Sequence, residues 1–322
     1  FFAESGGQIG DKGVLLADQL IVEIDGVTKK NNVYVHHGVV KRGYLKLHDL
    51  VHAKVDHSCR RRVQSNHTAT HLLQSALKLV IDESVAQRGS LVAFDRLRFD
   101  FNAPSPMTSS QLEEVETLIN KWISEGHSII VDTMSIDKAL AAGALAMFGE
   151  KYGEIVRVVD VPGVSMELCG GTHVANTSEL GLFKIVSEIG IASGIRRIEA
   201  IAGPSVLDYL NERDMVVKQL SENLKAQPSQ ILERVLTLQN EIKDLTRDLS
   251  ASRKQLAYLK VLSLAGQASL INESKFIVKR LDGIDGSSLQ DAAKTLMEQM
   301  GDDSAVILGG IPDADVANKI VF

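Results

Sequence analysis

The apolar positions change period along the chain, and each change marks a different kind of element. Through residues 1 to 63 they fall in short runs (20–24, 33–36 and 45–47) broken by Gly6, Gly7, Gly10, Gly13, Gly26, Gly38 and Gly43. Such runs predict short strands, and their spacing predicts a small β-barrel-like domain over 1–63 with Asp25-Gly26 as a hairpin turn. The period then becomes helical. Ala69, Leu72, Leu73, Ala76, Leu77 and Val80 share one face of a helix over 65–80, which Ser65 or Asn66 can cap. Leu97-Arg98-Phe99-Asp100-Phe101 alternates as a strand does, and Pro104 and Pro106 end it. Leu112, Val115, Leu118 and Ile119 make an amphipathic helix that opens at Ser109 or Ser110 and runs through Trp122. Strands are expected at 129–131, 155–159 and 194–200 and a further helix at 136–142, so 64–204 reads as a two-layer α/β core.

Beyond Gly203-Pro204 the pattern lengthens. A helix over 205–226 is broken by Pro228, after which Val235, Leu238, Ile242, Leu245, Leu249, Ser252, Leu256 and Leu259 step by three and four. That is a coiled-coil seam with one polar break at Ser252, and 205–265 is expected to form a helical hairpin. Its role is either a spacer or dimerisation arm or plain internal packing. Strands at 276–278 and 305–308 flank a helix at 288–300, so 266–322 reads as a partial α/β domain, with another strand starting where the sequence stops. The fold class expected for the whole is α+β.

Composition narrows the class. With 322 residues, 44% hydrophobic and 24% charged, the chain has the make-up of a globular protein of several domains. No apolar run approaches the roughly 18 residues of a membrane span. Only Cys59 and Cys169 are present, which fits a reducing, cytoplasmic setting without disulfides. The start at Phe1-Phe2-Ala3, without Met or signal peptide, reads as that of a fragment. A net charge of −6 argues mildly against a nucleic-acid partner, although Lys41-Arg42, Arg60-Arg61-Arg62, Arg96 with Arg98, and Arg196-Arg197 form local basic clusters.

Two pairs of residues carry candidate chemistry. His67 and His71 are four apart on a predicted helix, one turn from each other on one face, where two imidazoles can grip one metal ion. Cys169 and His173 are also four apart, but Gly170-Gly171 between them make a helix unlikely and predict a loop that curls both side chains to one point. Each pair alone is more simply a half-buried helix pair or an inert cysteine beside a surface histidine. Together they offer four nitrogen and sulfur ligands, the number tetrahedral zinc takes. Thr68 stands where a zinc peptidase carries its general-base Glu, so peptidase chemistry is not expected. Such a zinc is either catalytic, with water or substrate displacing a ligand, or purely structural. Gly6-Gly7-Gln8 reads as a turn, or as backbone held close to a ligand.

Residues 1–8 (Phe-Phe-Ala-Glu-Ser-Gly-Gly-Gln), 66–73, 87–90, 97–101, 147–152, 169–173 and 194–199 resemble the editing region of alanyl-tRNA synthetases. That region is shared with AlaX-type proteins and related to the editing domain of threonyl-tRNA synthetases. The resemblance covers nearly the whole chain and implies hydrolysis of mischarged Ser-tRNA(Ala) and Gly-tRNA(Ala). By position it implies zinc ligation by His67, His71, Cys169 and His173, and an editing role for Gln87. Gly6 and Gly7 match a glycine motif tied to serine preference. Thr70 is carried as a hydrogen-bond partner of the substrate amine or hydroxyl, or else as a back-bond within its helix. Arg98 is carried as a phosphate or adenosine contact, or else as half of a salt bridge. No Asp or Glu stands out as a base, so the zinc or the terminal ribose hydroxyl is expected to activate water. The class II aminoacylation core, with its ATP and Mg2+, is expected upstream of Phe1. The tail resembles the start of a tRNA-binding C-terminal domain, and a homodimer through that region is expected of the full-length protein. The rival reading is a non-catalytic tRNA-binding and oligomerisation fragment with a structural zinc.

Overall fold

The glycine-punctuated N-terminal run folds as strands β1 (Gly13–Ala17), β2 (Leu20–Lys30), β3 (Val33–Arg42) and β4 (His52–Val55). They form an antiparallel sheet in the order β3-β2-β1-β4, with β3 and β4 at its edges. Leu20, Val22, Ile24 and Val27 of β2 are buried and pack with Ala3. The computed structural model describes residues 1–146 and 152–311, so residues 147–151 of the motif at 147–152, and the strand expected at the end of the chain, lie outside the described residues.

Two expectations for this region are corrected. Asp25-Gly26 is not the hairpin turn. It lies inside β2, where the pairing with β3 slips between Ile24 and Gly26. The turn is Asn31-Asn32, with φ of 49° and 64°, closing the Lys30–Val33 pair. A two-residue hairpin needs positive φ at both positions, and Asn tolerates this better than most residues. Residues 45–47 are not a strand either. The Lys46 N–H donates to Asp49 Oδ2 at 2.7 Å, and this side-chain-closed turn replaces strand pairing.

Helix α1 (His57–Val80) begins eight residues before the expected Ser65. Its cap is Asp56, whose Oδ1 accepts from the Cys59 N–H at 3.0 Å. Ser65 and Asn66 are therefore buried mid-helix residues. The extra turns carry the arginine run, and each arginine finds a carboxylate: Arg60 on Asp11, Arg61 on Glu179 and Arg62 on Asp208.

After α1 come β5 (Gln87–Val92), β6 (Leu97–Asn102), α2 (Ser109–Glu125), β7 (Ile130–Ser135), α3 (Ile136–Ala141), β8 (Ile155–Val161), β9 (Ser165–Leu168), β10 (Phe183–Ala192) and β11 (Ile195–Ala202). The central antiparallel sheet runs β10-β11-β6-β5, and the small sheet runs β7-β8-β9. Strand β10 was not foreseen. Two register slips along it, at 185–187 and 190–192, break the alternation a strand is recognised by. Ala69, Leu72, Leu73, Ala76 and Leu77 of α1 and Val115, Ile119 and Trp122 of α2 pack on Leu97, Phe99, Phe101, Ile198 and Ala200 of the central sheet. This is the two-layer core, and burying each large side chain contributes about 1.5–3 kcal/mol.

Helix α4 (Pro204–Leu224) carries the division between two compact units, Phe1–Met215 and Val216–Phe322. The second unit contains α5 (Ile231–Leu262), β12 (Ser269–Ile271), β13 (Ser274–Arg280), α6 (Gly286–Met300) and β14 (Ser304–Gly309). Strands β13 and β14 pair in parallel across α6. Ala257 and Val261 at the end of α5 share a core with Leu289, Ala292, Leu296 and Met300 of α6. The seam residues Ile242, Leu245, Leu249, Leu256 and Leu259 of α5 are exposed.

Candidate metal centre

Helix α1 presents His67 and His71 one turn apart on its buried face, as their spacing dictates. Cys169 and His173 lie on the loop that follows β9. One ligand atom from each of the four residues lies within 4.8 Å of the other three. Cys169 Sγ is 3.4 Å from His67 Nε2 and 3.3 Å from His173 Nε2. The His71 and His173 rings lie 4.6 Å apart between centroids.

The loop is curled by specific contacts. Arg157 of β8 donates from Nη1 to the carbonyls of Cys169 (2.8 Å) and Gly171 (2.7 Å). The Gly171 N–H donates to Cys169 Sγ at 3.4 Å. Gly171 itself rests on the His67 ring, leaving no space for a side chain. Gln64 of α1 donates to the His173 carbonyl at 3.0 Å, tying loop to helix.

Each imidazole has a second polar neighbour at Nδ1. His67 Nδ1 is 2.7 Å from Gln8 Oε1, His173 Nδ1 is 3.1 Å from Thr68 Oγ1, and His71 Nδ1 is 3.5 Å from Glu167 Oε2. For His67 and His173 such hydrogen-bonded partners orient the ring and leave Nε2 facing the cluster as its candidate ligand atom. Burial holds His67 and His173 well below the ordinary imidazole range, with repulsion from neighbouring imidazoles and the Arg157 charge adding to it, and burial with the Arg157 charge brings His71 down to about 4. All three rings are therefore neutral near pH 7, the form that binds metal. Burial also pushes Glu167 up to about 8, so its contact with His71 is between two neutral groups rather than an ion pair. Both Glu167 Oε1 and His71 Nδ1 are buried without a well-formed hydrogen bond among the described residues. Three neutral imidazoles and a thiol converging in a buried site fit zinc's preference for nitrogen and sulfur ligands.

Two family models match the chain. One, described as the threonyl and alanyl tRNA synthetase second additional domain, covers residues 156–199 and so includes Cys169 and His173. The other, described as class II (A) tRNA synthetases, covers residues 1–59. An alanine--tRNA ligase of Prochlorococcus marinus (strain NATL1A) is 60% identical over 322 residues, all of this chain and 36% of its own length. One of Synechococcus sp. (strain CC9902) is 58% identical over the same 322 residues. Along its whole length the chain matches alanine--tRNA ligases. It spans about a third of the length of these relatives.

The remaining residues singled out in the sequence are placed as follows. Thr70 lies on α1 between His67 and His71, and its hydroxyl donates to the Asn66 carbonyl at 2.8 Å. Gln87 opens β5 and donates from Nε2 to Ser90 Oγ at 3.1 Å. Gly7 lies against the same Ser90, whose carbonyl oxygen would be 2.8 Å from an added Cβ, and its own φ is +82°. Gly6 precedes it in a turn, with φ +57°. Arg98 Nε is 3.9 Å from Asp100 Oδ2, while Arg197 takes both Asp100 oxygens at 2.7 and 2.8 Å. Arg98 Nε itself is buried with no hydrogen-bond partner among the described residues.

The residues that hold the ligands were not recognised as such from sequence. Gln8, Thr68, Arg157 and Glu167 each act on a ligand or its loop, and Asn66 fixes the helix. Asn66 donates to the Ala93 carbonyl at 2.8 Å and accepts from the Ala202 N–H at 3.0 Å, so α1 is clamped to the central sheet just past the end of β5 and at the end of β11. For Asn66 and Thr68 the available signal was polar residues adjoining the histidines on a helix face that had to be buried; Gln8, Arg157 and Glu167 lie on other segments and carried none.

Proposed function

We propose that His67, His71, Cys169 and His173 hold one zinc ion and that the surrounding site hydrolyses the ester bond of Ser-tRNA(Ala) and Gly-tRNA(Ala). The convergence of the four ligand atoms within 4.8 Å, on neutral imidazoles and one thiol, carries this reading. A bound zinc ion supplies Lewis-acid polarisation or a lowered water pKa, either of which suits ester hydrolysis. An alanine pocket cannot exclude glycine by size and rejects an added hydroxyl weakly, so a second, hydrolytic site is physically required.

The chain's own residues take defined parts. The Thr70 hydroxyl, having donated to Asn66, keeps its oxygen lone pairs to accept from the substrate's amine or hydroxyl. The Gln87 side chain and the Gly6-Gly7 backbone, joined through Ser90, form one wall that orients the aminoacyl group. Arg98, whose side chain is about a third exposed, meets a phosphate or the terminal adenosine. We further infer that the chain is the editing segment of a cytoplasmic, ATP-dependent alanine--tRNA ligase, with the tRNA(Ala) acceptor end as its partner and a homodimer in the full-length protein. Among the described residues no helix is long and apolar enough to cross a membrane.

Deacylation of Ser-tRNA(Ala) by the purified chain, with and without a chelator, tests the reading. Chelator-sensitive release of serine is expected. A zinc-loaded protein that cleaves no faster than buffer removes the hydrolase reading and leaves a tRNA-binding segment with structural zinc. Cys169→Ala is expected to lower the bound zinc measured by emission spectroscopy, and unchanged metal content would remove Cys169 from the ligand set.

A further inference from the structure

Gln8 is fully buried and lies on none of the elements that carry the metal ligands. It arrives from the N-terminal segment, which runs beside β5: the Ile9 N–H donates to the Val92 carbonyl at 3.1 Å, and the Val92 N–H to the Gly7 carbonyl at 2.7 Å. The tight approach of Gly7 to Ser90 sets this register. Alternation then directs the next side chain, Gln8, to the Cys169–His173 loop. There its Nε2 donates to Thr172 Oγ1 at 2.9 Å, and its Oε1 accepts from the Thr172 N–H at 2.8 Å and lies 2.7 Å from His67 Nδ1.

These contacts fix an otherwise ambiguous proton. A backbone N–H can only donate, so the Gln8 atom facing Thr172 N must be Oε1. An amide oxygen can only accept, so the proton of neutral His67 must be on Nδ1. The lone pair is then on Nε2, the atom that faces Cys169 Sγ. We infer that Gln8 is a positioning residue that locks His67 in the Nδ1–H tautomer and so makes the metal centre depend on the N-terminal segment.

This inference rests on the metal reading above. It does not require that the site be hydrolytic. The gain is that ring orientation and loop position are set by one side chain at once: the same oxygen holds His67 and the Thr172 backbone, three residues from Cys169 and next to His173. An outer partner of this kind typically carries a 10–100-fold effect on metal affinity.

Three measurements on the full chain test it, with zinc or cobalt(II) as the probe. In the unaltered zinc-loaded protein, long-range 1H–15N correlation spectra should show His67 protonated at Nδ1 and metal-bound through Nε2. Metal on Nδ1 would overturn the inference whatever the variants do. Gln8→Ala should weaken zinc binding about 10–100-fold in competition with a chromophoric chelator and alter the cobalt(II) d–d absorption. Gln8→Glu, which keeps an acceptor for both N–H groups, should recover most of that affinity and the parent absorption. A folded Gln8→Ala protein with parent affinity and an unchanged spectrum, or a folded Gln8→Glu protein as weak as Gln8→Ala, would refute it. Failure of the unaltered protein to bind zinc would instead sink the metal reading itself, so the two failures are distinct.

Discussion

At Gly171 a single methyl group decides whether the centre can form. An alanine Cβ there would overlap the His67 ring and come 2.8 Å from Gln8 Oε1. Neither neighbour can yield, because each is buried and hydrogen-bonded to the other. Gly171→Ala is therefore expected to weaken zinc binding by at least about tenfold and to cost about 1–3 kcal/mol of stability through overpacking. Isothermal titration with zinc and a denaturant melt would measure both, and wild-type values for the two would contradict the packing described. The adjacent Gly170 has open space around its position, so Gly170→Ala is the matched control and should leave the melt nearly unchanged. At this scale the four candidate ligands stood out in the sequence, because spacing puts His67 and His71 on one helix face, two glycines mark the curl before His173, and the family resemblance joined the two pairs. Their supports were not legible. Gln8 and Glu167 reach the histidines from 59 and 96 positions away in sequence, and nothing local to either residue reports that meeting.

Helix α1 shows what a missed cap costs a sequence reading. Its apolar stripe starts at Ala69, but the helix starts where Asp56 closes it, one residue past β4. The first turns carry Cys59 and three arginines, so periodicity is silent there. The signal was the Asp-x-x-x run into the helix, not the stripe. Asp56→Ala is expected to cost about 1 kcal/mol at pH 7, the usual worth of an N-cap. The sign with pH follows from the Cys59 N–H, whose hydrogen bond holds the Asp56 carboxyl below its ordinary range. A carboxyl depressed in the folded state contributes stability above its unfolded pKa, and loses it as the pH falls through the folded value. The difference between parent and variant should thus be constant above about pH 5 and shrink below about pH 4. Paired urea melts across that range would show it, and a difference that grew on acidification would exclude the cap as its cause. The strands repeat the lesson. Those with unbroken alternation, such as β6, were foreseen, whereas β10 was hidden by its two slips and the β2–β3 turn by an Asn pair that outcompetes Asp25-Gly26.

Every group named at the metal centre, from Gln8 to His173, belongs to the unit Phe1–Met215, and none belongs to Val216–Phe322. Metal occupancy should therefore stabilise the first unit alone. At free zinc about 100-fold above its dissociation constant, mass action contributes about 2.7 kcal/mol, which for a unit of this size moves the melting temperature by roughly 5–10 °C. The chain's one tryptophan makes the units separable by experiment. Trp122 is buried in the two-layer core under α1, so its fluorescence follows the first unit and has no counterpart in the second. Far-UV circular dichroism, by contrast, sees α5 and α6 as well. Chelation should shift the tryptophan transition down by roughly 5–10 °C and move only the matching fraction of the dichroism signal. The remaining fraction reports the Ala257–Leu296 core of the second unit and should melt where it did before. If both signals instead moved together by the same amount, the two units would unfold as one cooperative body, and the metal would be stabilising the whole chain rather than only the unit Phe1–Met215.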